Sequence, residues 1–310
     1  MRLLGPASLV AFGSLLAAAA CSAFGGSDSS SSSSSGADAA APSDASVAAT
    51  LDGVAPISPE ASTADAGRCN PAAPFGSPYA VNGAPTVIGA FRLTKDEQHA
   101  YYDDSQGGLF YAPLLAPDSI GTPTKLAVAS PDIGGPASVS LSDDETIAFF
   151  EQNFKVWQAT GKPGGPYGGA AKVLDSAGQP YLDEHEGAFY YSHYFPSDAG
   201  TYPRTIYKTT YANKMLGAGF MDLNLGPDSN FSPTPGALGE GLYVGIDRGS
   251  VMHQDIFLRA PSMTLTKADV LDSASNEYPV FVSRDGCYLY LGTNRHTGYA
   301  NELFVAKRGK

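Results

Sequence analysis

The side chains able to do chemistry are few, and their spacing says what kind of chemistry to expect. The richest run is Asp183-Glu184-His185-Glu186, with His193 a little further on. Two imidazoles and three carboxylates are donors for a divalent metal, but no helix presents them at a fixed spacing and a strand separates the histidines. The run reads as a solvated hairpin turn, and no metal or cofactor is assigned. Asp96, Asp143 and Asp285 recur in similar turns, where an Asp side chain accepts hydrogen bonds from nearby backbone N–H groups and tolerates the bend. His99, His253 and His296 are scattered singly. No Gly-x-Ser-x-Gly elbow occurs. Gly161-Lys162-Pro163-Gly164-Gly165-Pro166 sets a lysine among glycines, but its prolines and the lack of a following helix mark a loop, not a phosphate cradle. No residue is assigned a catalytic role.

The elements that must position these groups are suggested by composition. The chain has 310 residues and a net charge of −12, with 19 basic against 31 acidic side chains. That balance excludes nucleic acid as a partner, because affinity for phosphate comes from clustered Lys and Arg. Gly (35), Pro (23), Tyr (17) and Phe (15) are abundant while charged residues are only 16%, a mixture that favours short strands and turns. Three regions divide the chain. Residues 1–20 read as a signal peptide, with Arg2 ahead of an apolar stretch that ends at Cys21. Residues 21–68, with the serine run Ser29 to Ser35 and almost no large apolar side chain, read as a disordered tether. Residues 69–310 form the folded body.

That body repeats. Short apolar strands at Ala100-Tyr101-Tyr102, Ala148-Phe149-Phe150, Phe189-Tyr190-Tyr191, Leu242-Tyr243-Val244 and Leu289-Tyr290-Leu291 are each followed by a second strand. The central aromatics of those second strands, Phe110, Trp157, Tyr207, Phe257 and Phe304, are spaced by 47, 50, 50 and 47 residues. A third apolar element follows in four copies, at Lys125-Leu126, Val173-Leu174, Asp222-Leu223 and Val270-Leu271, and the fifth copy lacks it. A repeat of this length built from short strands is a β-propeller blade. The expectation is an all-β, five-bladed propeller closed by an N-terminal strand, Ser77 to Val81, that completes the last blade. A sixth blade, hidden between Thr209 and Pro235, is the alternative. Closure would bring Cys69 beside Cys287, and in an oxidising compartment the two form a disulfide; separate buried thiols are the alternative.

Two resemblances attach to particular residues. Leu16-Ala17-Ala18-Ala19-Ala20-Cys21 resembles the lipobox of bacterial lipoproteins, which implies cleavage before Cys21 and lipidation of that cysteine. Ala18 departs from the leucine commonest there. An ordinary secretory signal or a retained membrane anchor are the alternatives. By resemblance to enterobacterial sorting, Ser22 favours the outer membrane, on its periplasmic or cell-surface face. Val282-Ser283-Arg284-Asp285-Gly286-Cys287, followed by Tyr288 to Leu291 and Thr293-Asn294-Arg295, resembles the repeat of TolB-like propellers, partly kept at Leu141 to Glu145 and Leu93 to Glu97. Such a fold says little about activity. The reading is a monomeric, non-catalytic cell-envelope lipoprotein, held to the membrane by its lipid, whose propeller binds an envelope protein or a glycan. The alternative is a glycan-degrading enzyme, because some glycoside hydrolases use a five-bladed ring with paired carboxylates at its axis.

Overall fold

The computed structural model describes residues 69–85, 88–104, 107–129, 135–195, 204–223, 229–247, 254–298 and 301–310. The signal segment, Cys21, the tether and His253 lie outside the described residues.

Five small antiparallel sheets make five blades. Each runs from an inner strand outwards. The inner, second and third strands are Phe91–Leu93, His99–Asp103 and Leu109–Ala116 in blade 1, Ala137–Leu141, Ile147–Gln152 and Lys155–Thr160 in blade 2, and Ala177–Asp183, Ala188–Tyr194 and Arg204–Ala212 in blade 3. Ser229–Pro235, Leu242–Asp247 and Gln254–Arg259 form blade 4, and Glu277–Val282, Tyr288–Thr293 and Glu302–Lys307 form blade 5. Inner strands of successive blades touch one another, and the inner strand of blade 5 returns to that of blade 1, so the ring closes. The outer strand of blade 5 is Tyr79–Ala80, from the start of the folded body, paired antiparallel with Val305 and Phe304. Cys69 and Cys287 are joined by a disulfide at this seam, with Cα atoms 5.6 Å apart.

The sequence pattern mistook the second strand of each blade for the first. The region from Thr209 to Pro235 holds no sixth blade. It finishes the third strand of blade 3, supplies that blade's outer pieces Met215–Leu216 and Met221–Asp222, and then forms the inner strand of blade 4. Val270-Leu271 is also not a strand. It lies in a 3-10 turn, Asp269–Leu271, and the outer strand of blade 4 is Leu265–Lys267.

The core lies between blades. Apolar side chains of one blade's strands pack against those of the next, as where Phe149 of blade 2 meets Phe189 of blade 3 with ring centroids 4.8 Å apart, or Phe91 of the blade 1 inner strand meets Tyr290 of blade 5 at 4.7 Å across the seam. Alternation explains this: the second strands bury both faces, one against each neighbour, so they read as continuous apolar runs.

The inner strands are irregular. Four carry a bulge, between Ala137 and Ser140, Gly178 and Tyr181, Phe231 and Thr234, and Pro279 and Phe281. Ser138, Gln179 and Ser232 have left-handed φ of 53°, 49° and 51°. Each kink frees a backbone N–H from the ladder, and a side chain captures it. Ser138 N–H donates to Asp103 Oδ2 at 2.5 Å, Gln179 N–H to Glu151 Oε2 at 3.0 Å, and Ser232 N–H to the Gln179 amide oxygen at 3.0 Å. Blade 5 answers blade 1 through the Tyr278 hydroxyl, which donates to Ile88 O at 2.8 Å. Side chain to backbone bonds thus join blades 1 to 2, 2 to 3, 3 to 4 and 5 to 1 around the axis. Gly178 has no room for a Cβ, because the Glu151 carboxylate occupies that space.

Candidate functional site

At one end of the axis, where the inner strands finish and turn outwards, the blades surround a cavity of about 390 Å³. A void of about 20 Å³ lies among the bulged inner-strand residues Ser138, Gln179 and Ser232. Arg92 lines both.

The turns that rim the larger cavity are built alike in blades 1, 2 and 5. The hydroxyls of Thr94, Ser142 and Ser283 donate to the carboxylates two residues on, Asp96 at 2.6 Å, Asp144 at 2.7 Å and Asp285 at 2.6 Å. Those carboxylates also accept the N–H of Gln98, Thr146 and Cys287. Glu97, Glu145 and Gly286 follow with left-handed φ of 54°, 55° and 72°. Hydroxyl and backbone donors hold Asp96 below the usual carboxylate range; at Asp144 burial, the largest single influence, pushes the carboxyl up, and the Ser142 hydroxyl, the Lys214 ammonium at 2.9 Å and Thr146 together outweigh it. In blade 2 the turn acid is therefore Asp144, not Asp143. Asp143 takes the residue position between hydroxyl and acid, where blades 1 and 5 have Lys95 and Arg284, and that position faces the axis.

The three meet there. Asp143 pairs with Lys95 at 3.3 Å and with Arg284. Its own N–H donates to Glu184 of blade 3 at 2.5 Å, and the Arg284 N–H donates to Glu97 of blade 1 at 2.8 Å. Blade 4 contributes uncharged wall, including Pro235, Gly236 and Ala237.

The Asp183 to Glu186 turn forms the blade 3 side of the same cavity. Asp183 accepts the Glu186 N–H at 3.1 Å, and burial pushes its carboxyl upwards. Glu186 accepts from the Tyr190 hydroxyl at 3.0 Å and pairs with Lys208 at 3.2 Å. Glu145 accepts the Tyr101 hydroxyl at 2.6 Å, and that hydroxyl accepts the N–H of Gly164 at 2.8 Å, which pins the Gly161–Pro166 loop. Burial first, then Glu145, pushes the Tyr101 phenol up.

His185 lines the cavity, whereas His193 packs against Phe195 and Tyr207 on the second strand of blade 3. His99 stacks on Tyr111, and His296 faces Glu302. Among the described residues no three His, Cys, Asp or Glu side chains are grouped to hold a metal ion. Arg92, Lys95, Tyr181 and Arg284 carry much of the site, and none stood out in the sequence. The available signal was the residue between hydroxyl and acid in Thr-Lys-Asp, Ser-Asp-Asp and Ser-Arg-Asp, which changes charge while its neighbours hold.

No family profile matches the chain, and no curated protein matches it. Solved structures do. A thermostable family-43 glycoside hydrolase is similar at 15% identity over 74% of this chain and 91% of its own, with a TM-score of 0.48. The WD40 repeats of RRP9 are similar at 7% identity, 77% and 99% coverage, and a TM-score of 0.45. An oligogalacturonate lyase from Vibrio parahaemolyticus is similar at 9% identity, 71% and 78% coverage, and a TM-score of 0.40.

Proposed function

We propose that the chain is a non-catalytic binding module of the bacterial cell envelope, a TolB-like propeller lipidated at Cys21, which takes its ligand in the axial cavity. One observation carries the binding reading. Every carboxylate on the cavity wall already has a partner: Asp143 holds two cations, Glu145 a phenol, Glu184 and Asp183 a backbone N–H, and Glu186 a phenol and a lysine. Acid and base catalysis on a glycosidic bond needs two carboxyl groups held apart, with one free to give a proton and the other to attack or to activate water. Paired carboxylates among aromatic and apolar lining residues such as Tyr181, Phe281 and Val282 suit recognition instead. Lipidation at Cys21 and the Ser/Ala-rich tether, with a random-coil reach of roughly 35 to 40 Å, would place a monomeric ring off the outer membrane, within reach of an envelope protein or glycan.

A glycan-degrading enzyme is the second reading, and one observation favours it: burial raises Asp183 beside two further cavity carboxylates, as a general acid requires. The two readings separate in one experiment. The full-length chain is incubated with cell-envelope glycans, and both binding and release of reducing ends are followed for the wild type and for Asp183→Asn. Binding without turnover, retained in Asp183→Asn, is expected. Turnover lost in Asp183→Asn would establish the enzyme.

A further inference from the structure

The cation beneath the charged rim is unlike the others. Arg92 is 9% exposed, and its Nη1 donates to Phe91 O at 2.7 Å and to Val280 O, while Nη2 reaches Pro180 O at 3.4 Å. The guanidinium lies 4.1 Å from the centroid of the Tyr181 ring. Its Nε is buried without a partner, and among the described residues no carboxylate pairs with it. The nearby acid, Asp103, is already occupied by the N–H groups of Ala90 and Ser138. Backbone carbonyls and the Tyr181 ring hold this buried charge, Asp103 attracts it without pairing with it, and such an ion is costly to keep.

The fold does not require it. Matching the strand registers, Arg92 corresponds to Ser140, Tyr181, Thr234 and Phe281 in blades 2 to 5, all uncharged. Burial lowers Arg92 to about 10, so it remains protonated at neutral pH.

We propose that Arg92 makes the axial cavity a receptor for a small monocarboxylate whose remainder is neutral or cationic, its carboxylate supplying the missing counter-ion. The planar guanidinium of Arg92, which lines the cavity, matches a carboxylate in shape and charge. The rim selects for the rest of the ligand. Asp143, Glu145, Asp183, Glu184 and Glu186 outnumber Lys95 and Arg284, so a dianion such as phosphate is repelled more than a monoanion, and a zwitterion least of all. This rests on the cavity being the ligand site, as proposed above.

The test is titration calorimetry on the full-length chain with D-glucuronate and the dipeptide Gly-Lys, each beside its counterpart lacking the charge, D-glucose and Gly-Lys amide, and with inorganic phosphate. At least one carboxylate should bind ten-fold or more tightly than its counterpart and than phosphate. Which one binds identifies the source, acidic sugar or peptide terminus. Arg92→Met should lose that affinity ten-fold or more without a lower melting temperature, since an apolar side chain of similar length replaces an uncompensated ion. Arg92→Lys, which keeps the charge and loses the fork, should fall between. No binding by either carboxylate, equal binding of phosphate, or unchanged affinity in Arg92→Met would overturn the proposal. Should Arg92→Met not fold, unchanged affinity in Arg92→Lys overturns it equally. D-glucose binding as tightly as glucuronate would remove carboxylate recognition and leave the cavity as a ligand site.

Discussion

Asp103 shows how much a single side chain can be asked to do. It is fully enclosed between blades 1 and 2, and burial pushes its carboxyl up to about 7 against the pull of the Ser138 and Ala90 N–H groups and of Arg92. A raised carboxyl pKa means that the folded protein binds the proton more tightly than the unfolded chain. This group therefore stabilises the fold most at low pH, and that contribution falls as pH rises from about 4, the unfolded value, to about 7. Glu151 is raised by burial in the same sense, although the Tyr194 hydroxyl and the Gln179 N–H oppose it. Asp103→Asn should therefore flatten the dependence of melting temperature on pH between about 4 and 7, measured by calorimetry in matched buffers. An unchanged slope would mean that the carboxyl does not titrate in that window.

At the scale of elements, the repeated turn separates two acids that the sequence sets side by side. Asp144→Ala removes a hydroxyl and backbone anchor along with an exposed ion pair to Lys214, and should cost about 1 kcal/mol, as a lost internal hydrogen bond does, the exposed pair adding little. Asp143→Ala removes ion pairs to half-exposed cations and should change stability by less than about 1 kcal/mol, while altering binding at the cavity. Urea denaturation of the two variants compares them directly. The same contrast explains what could be read from the sequence. Second and third strands were legible because runs such as Ala148-Phe149-Phe150 are apolar, unbroken and regularly spaced. The inner strands were not, because Phe91–Leu93 is only three residues long, Ala137–Leu141 is short and bulged, and the other three carry Pro180, Pro233 or Pro279 beside a bulge, which erases any alternation. Those strands line the axis, so the scaffold was visible in the sequence and most of the site was not.

For the whole molecule, the seam decides stability. Besides the disulfide, the N-terminal segment is held by the N–H of Asn70 to Gly309 O at 2.8 Å, Gly76 to Lys307 O at 2.8 Å and Val81 to Leu303 O at 2.9 Å, and by Phe75 under the Arg308 guanidinium. Cys69→Ser should lower the melting temperature without opening the ring; loop-closure entropy sets an upper limit of roughly 5 kcal/mol on the loss. Deleting residues 69–81 is a different matter, because it uncovers the edge of Glu302–Lys307 and should drive self-association, visible by size-exclusion chromatography.

The place of Cys287 has a mechanical consequence. Tension applied through the N-terminal side of Cys69 passes across the sulfur bridge to the residue next to Tyr288–Thr293, a strand bonded on both sides by its neighbours. The two-residue closing strand, Tyr79–Ala80, lies beyond the bridge and outside that path. A pull applied at residue 69 is thus borne by the middle of a blade and bypasses the two-residue ladder that closes the ring.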